Sequence, residues 1–222
     1  ADIRIDGAGK KVTRSDNCRV SDLSVSSDNL TFTYEAKSLP YPIDTSYYDN
    51  EKHTQADALS VISFMDEMNY EGLSVSGLSD GYYGLTIGGE FIGRFTAREL
   101  ERGINMALLQ NTPQYKQAMK IRQMNEERWL KERKMREFYW VEYNLMRKTG
   151  MLWACNEAAV DTLRKYRPHD IFLQWNGDLW LQYMHKGIRE DCVNEQQNLV
   201  DRIYEQNKPI PLRIEIKKFT DL

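Results

Sequence analysis

The chain has 222 residues, with 30 Lys and Arg against 33 Asp and Glu for a formal charge of -3, 41% hydrophobic and 11% aromatic residues, and only 13 Gly and 6 Pro. This length and composition suit one ordinary domain or two small ones around a real core, and exclude a disordered or fibrous chain. The balanced charge gives no summed positive field for nucleic acid, and no apolar run approaches the roughly 18 to 20 residues that a membrane span needs.

The chain opens Ala1-Asp2-Ile3-Arg4 with neither Met nor a signal-peptide hydrophobic region, as expected of a trimmed or mature chain. Ile3 and Ile5, then Val20, Leu23 and Val25, then Leu30 to Tyr34 alternate between turn residues, which is strand periodicity. Leu39-Pro40-Tyr41-Pro42 interrupts it, because each proline lacks a donor and restrains its predecessor. After Thr54, the spacing of Ala58, Val61, Ile62 and Met65 predicts one amphipathic helix of about three turns. Tyr82 to Ile87 and Phe91 to Phe95, joined through Gly88-Gly89, predict a hairpin.

Thr96 and Glu99 form a T-x-x-E capping box, so a helix starts near Ala97 with Leu100, Ile104, Ala107 and Leu108 on one face. Asn111-Thr112-Pro113 starts another that meets no Gly or Pro before Gly150, predicting a helix over 113–147, about 50 Å long. Helices near 156–166 (Ala159, Val160, Leu163 inward) and 188–206 (Val193, Leu199, Val200, Ile203 inward) follow, with an irregular aromatic stretch between them. Leu212, Ile214 and Ile216 predict a last strand returning to the sheet. The fold class is thus α+β: a small antiparallel β-sandwich-like sheet with a helical part, divided as a β-rich module (1–110) and a helical region (111–222), or as a single domain.

The residues name no reaction. No G-x-S-x-G elbow, GxGxxG or P-loop occurs. Ser79-Asp80-Gly81 and Asn176-Gly177-Asp178 read as turns. Cys18, Cys155 and Cys192 are too far apart for a disulfide framework or a CxxC knuckle. His53, His169 and His185 lack zinc-ligand spacing, and Glu126-Glu127 and Glu190-Asp191 read as surface charge. No catalytic residue, metal ligand or cofactor is therefore assigned. Trp175, Trp180 and Tyr183, near Asn176 and Asp178, mix flat apolar faces with amide and carboxylate groups; two readings stand, a carbohydrate platform or a loop packed by its own aromatics.

The ordered blocks Leu73 to Leu78, Gly81 to Thr96, Glu99-Leu100, Gly103 to Ala107 and Asn125-Glu126-Glu127-Arg128 resemble the carboxy-terminal part of bacterial (Bacteroidota-like) SGNH/GDSL-type hydrolases. That family's catalytic Ser block, oxyanion Gly and Asn, and Asp-x-x-His block have no counterpart; Asp49 and His53 are four apart, not three. The resemblance implies a noncatalytic accessory domain beside an upstream SGNH catalytic domain, shaping substrate access or assembly, in a periplasmic or secreted parent. It also adds Asn105, Arg128 and Trp129 to Trp175, Trp180 and Tyr183 as candidate ligand-binding residues. The alternatives are a carbohydrate-binding module and a helix-mediated homo-oligomerisation module.

Overall fold

In the computed structural model, which describes residues 1–43 and 54–219, strands occupy both ends of the chain and helices the stretch before the last strand. The chain divides into a sandwich unit, Ala1–Arg122 with Gln206–Leu222, and a helical unit, Gln123–Glu205. Among the described residues no helix is long and apolar enough to cross a membrane.

The sandwich unit holds two sheets. One is ordered β2 (Lys11–Asp16), β1 (Asp2–Asp6), β5 (Gly72–Ser76), β8 (Ile104–Asn105); the other β3 (Cys18–Val25), β4 (Asn29–Ala36), β9 (Leu212–Lys218), β6 (Tyr82–Ile87), β7 (Glu90–Thr96). Neighbours are antiparallel except β1 and β5, which run parallel. Period-two alternation makes the core: Ile3, Ile5, Leu73 and Val75 from the first sheet join Phe32, Leu85, Ile214 and Ile216 from the second in one buried cluster. The expected α+β architecture and the β6–β7 hairpin are both present. The edge strand β2 has no sequence signature, because only Val12 in it is apolar and most of its residues face solvent.

Four helical expectations need correction. Residues 55–65 do not form one helix. A 3-10 turn, Gln55–Ser60, is followed by the single turn α1, Phe64–Glu67. The Ser60 hydroxyl donates back to the Asp57 carbonyl, and Ser63 restarts the helix as its N-cap, so Met65 is buried while Val61 and Ile62 face solvent. Helix α2, Ala97–Arg102, has the expected capping box, with Thr96 Oγ1 accepting from the Glu99 N–H at 3.2 Å. It ends at Gly103, whose φ of 95° suits glycine, and the chain turns into β8, so Ile104, Ala107 and Leu108 do not continue the Leu100 face.

The third correction concerns the aromatic stretch, which is a continuous helix, α5, Ile171–Tyr183. Asp170 caps it by accepting from the Phe172 and Leu173 N–H groups at 2.8 and 3.2 Å. The Asn176-Gly177-Asp178 "turn" sits inside it because Arg167 braces that face, donating to both Asp178 oxygens at 2.6 and 2.7 Å and to the Gln174 carbonyl. A Cβ at Gly177 would stand 3.1 Å from Arg167 Nε, so glycine makes room for the brace.

The long helix α3, Pro113–Val141, begins in the sandwich unit and continues into the helical one, where a π-helical turn, Glu142–Met146, extends it. With α4 (Glu157–Tyr166), α5 and α6 (Lys186–Gln206) it builds a second core around Phe138, Val141, Met146, Leu163 and Trp180. On α6 the inward residue is Cys192, and Val193, expected inside, is exposed. Adjacent helical residues point about 100° apart, so the stripe through Cys192 and Leu199 leaves Val193 outside it.

Candidate binding groove in the helical unit

Glu142 opens the π turn that extends α3, a helical irregularity that recurs at functional sites. Glu142 is 1% exposed, and both its oxygens are engaged. The indole Nε1 of Trp180 donates to Oε1 at 2.8 Å, and the backbone N–H of Trp153 donates to Oε2 at 2.9 Å. Trp153 has φ of 62°, a conformation that costs a non-glycine residue roughly 1 to 3 kcal/mol and persists only where the surroundings impose it. Here the surroundings are the Glu142 clamp, the Met151 N–H on the Met146 carbonyl at 2.7 Å, and the Ala154 N–H on the Met151 carbonyl at 2.9 Å. The Trp153 ring, 46% exposed, is thereby set edge to face against Tyr139 and Tyr143, with centroids 6.0 and 5.9 Å away.

Tyr139 and Tyr143 also line an open groove of about 710 Å3 on α3 and its π extension. Trp129, Arg133, Arg136, Trp140 and Asn144 follow each other at steps of three and four, so they form one stripe about 22 Å long, and Asn176 joins them from α5. Arg133 Nε donates to Glu137 Oε1 at 2.7 Å, Arg136 Nε to Glu132 at 3.0 Å, and the Arg136 guanidinium lies 5.7 Å from the Trp129 ring centroid. These exposed pairs add little stability, but they orient the guanidinium groups and cancel their charge.

Of the six residues proposed from the sequence, Trp129 alone lines this groove. Trp175 and Trp180 share no platform: five residues apart on α5, they point about 140° from one another, Trp175 67% exposed against Phe172 and Trp180 fully buried on Glu142. Tyr183 is buried. Arg128 lies on the surface, bonded to Asn125 Oδ1 at 3.1 Å. Asn105 has a structural role in the sandwich unit, accepting from the Glu71 and Ala107 N–H groups and donating to the Met65 carbonyl.

Asn105 belongs to a buried polar cluster. Glu71 accepts from the Tyr34 hydroxyl at 2.6 Å and from the Gln114 amide at 3.2 Å, while Gln114 Oε1 has no partner. Burial pushes the Glu71 carboxyl above the ordinary carboxylate range, against the two hydrogen bonds that lower it, and burial together with the Glu71 charge raises the Tyr34 hydroxyl. Asp49 and His53 lie outside the described residues. His185 Nδ1 is 3.3 Å from Cys155 Sγ, His169 ends a 3-10 turn, and among the described residues no three His, Cys, Asp or Glu side chains are placed to hold a metal ion.

The α3 residues of the groove other than Trp129 were missed because in an amphipathic helix aromatic residues read as core and charged ones as a solvated face. The signal that could have found them is the Trp-Arg-Arg-Trp-Asn stripe, since an α3 face carrying both guanidinium and indole groups at that spacing does not suit a dry core.

Residues 119–208, which enclose the whole helical unit, match the family model described as the diltiazem deacetylase C-terminal helical domain. Over 99% of its length the chain is 34% identical to BT4096, a gut microbial diltiazem-metabolizing enzyme, and the two structures superpose with a TM-score of 0.91. The chain spans 50% of that protein's length. No curated protein matches. These findings correct the SGNH/GDSL resemblance: residues 119–208 are similar to the C-terminal helical domain of a diltiazem deacetylase, and the chain as a whole to half of a diltiazem-metabolizing enzyme, not to the carboxy-terminal part of an SGNH/GDSL hydrolase. The longest of the resembling blocks, Gly81 to Thr96 with Glu99-Leu100, are the β6–β7 hairpin and the α2 cap, which report local turn geometry that any hairpin followed by a capped helix needs.

Proposed function

We propose that the chain is a noncatalytic accessory part of a hydrolase-type enzyme similar to BT4096, and that its helical unit shapes what reaches the enzyme's active site. The observation that carries this is the match of residues 119–208 to a domain described as C-terminal and helical, in a chain half as long as its structural relative. The partner in this reading is the remaining half of the same enzyme, and the absence of a Ser-His-Asp pattern in the sequence fits it. The helical unit offers an open aromatic groove ringed by fixed polar groups, a surface for positioning a ligand; the described residues around it supply no nucleophile with an adjacent base.

Complementation tests the proposal. The parent gene is expressed as two pieces, this chain and the remainder, and diltiazem deacetylation is followed for each and for the mixture. The expected result is that the two pieces co-purify and that adding this chain raises the turnover of the remainder several-fold. Full activity in the remainder alone, unaffected by this chain, would contradict an accessory role.

A further inference from the structure

We propose that the groove along α3 binds a neutral carbohydrate, an inference that stands on the groove itself and not on the accessory reading. Three observations converge on that ligand class. The first is a set of part-exposed rings: Trp129 is 58% exposed, and Tyr139 and Tyr143 each pack edge to face on Trp153, which lies outside the groove lining and whose backbone N–H is held by the buried Glu142. Flat apolar faces held rigidly present the surface that the C–H face of a sugar ring covers, with little ordering to be lost on binding.

The second is charge. Arg133 is paired with Glu137 and Arg136 with Glu132, so the groove offers guanidinium and carboxylate hydrogen-bonding atoms with no net charge. Among the described residues lining the groove both guanidinium groups are ion-paired, so a phosphate or carboxylate ligand would have to compete with Glu137 and Glu132 for them. A polyol, which both donates and accepts, suits fixed donors and acceptors side by side, to which Asn144 and Asn176 add amides. The third is shape: about 710 Å3 lies within the range of small-ligand sites, and the stripe from Trp129 to Asn144 runs about 22 Å along the helix in an open trough that lets a chain of rings pass.

Affinity electrophoresis of the full chain tests this, in gels cast with neutral xyloglucan, galactomannan or galactan and, for contrast, anionic polygalacturonate. The proposal expects retardation by at least one neutral polymer and none by polygalacturonate. Trp129→Ala should weaken the retarding interaction about tenfold, the scale of one lost ring contact. Trp175→Ala, which removes an exposed ring outside the groove, should migrate as the unaltered chain does. Tyr143→Ala is the second groove variant, and a helical circular dichroism signal equal to that of the parent verifies that each is folded. Unchanged mobility in all three neutral gels, retardation by polygalacturonate alone, or a dimer that dissociates on Trp129→Ala, meaning that a second copy covers the groove, would each overturn the proposal.

Discussion

Glu71 and Glu142 are both buried acidic side chains, each held by two hydrogen-bond donors. Glu142 accepts two N–H groups, from the Trp180 indole and the Trp153 backbone. Glu142→Ala leaves these donors unpaired and is expected to cost about 2 to 4 kcal/mol in urea unfolding, with Trp153 losing the support of its left-handed backbone. A loss below about 0.5 kcal/mol, the range of ordinary surface changes, would contradict the clamp. Glu71 accepts from one hydroxyl and one amide, and burial holds its carboxyl above the ordinary value of 4.5. The sign follows from linkage. A raised acid is protonated more readily when folded, so its favourable contribution is fully present below the unfolded value and is lost as pH rises through the folded one. Glu71→Gln removes that loss, and its amide can donate to the orphaned Gln114 Oε1. The variant is expected to be about 1 to 2 kcal/mol more stable than the parent at pH 8, with the gain shrinking towards pH 4. An equal gain at both pH values, or none, would show that Glu71 does not titrate in this way.

At the scale of elements, α5 carries the sharpest contrast between local signal and tertiary context. Its Asn-Gly-Asp centre has the chemistry of a turn, and Arg167, outside the helix, reverses that by holding Asp178 and the Gln174 carbonyl. Glycine in a helix normally costs about 1 kcal/mol relative to alanine. Here the new Cβ would press on Arg167 at 3.1 Å. Gly177→Ala is therefore expected to be neutral to destabilising, by up to about 1 kcal/mol, in the parent, and stabilising by a similar amount in an Arg167→Ala background. Thermal melts of the four proteins of that cycle measure it, and the same sign in both backgrounds would count against the brace. The comparison also shows which elements a sequence can reveal. Thr96 and Glu99 announce α2, Gly88-Gly89 the hairpin, and Pro113 the start of α3, because each signal is complete within a few residues. The strand β2, the helix α5 and the π turn depend on partners outside the element itself, respectively β1, Arg167 and the Trp153 and Trp180 donors on Glu142, so no pattern within the element declares them. The groove was not legible as such: Trp129 was a candidate only through the overturned resemblance, and whether Tyr143 or Trp140 lies in a core or on a surface is decided by what packs against the helix.

For the whole molecule, the sandwich unit is closed by its last strand, β9, which inserts between β4 and β6 and buries Leu212, Ile214 and Ile216. Contacts this distant in sequence tie both ends of the chain into one core, so removal of β9 is expected to unfold the sandwich rather than trim it. The helical unit has its own core around Phe138 and Trp180, and it is this unit, with its groove, that the matched family domain covers. The proposed accessory role assigns this unit surface and not chemistry. The most direct test is initial-rate hydrolysis of p-nitrophenyl acetate and of diltiazem by this chain alone, beside the full-length parent enzyme. The account predicts turnover by the parent and none above buffer by the isolated chain. Turnover by the isolated chain that a single substitution within it abolishes would contradict the account and locate a catalytic site among these residues.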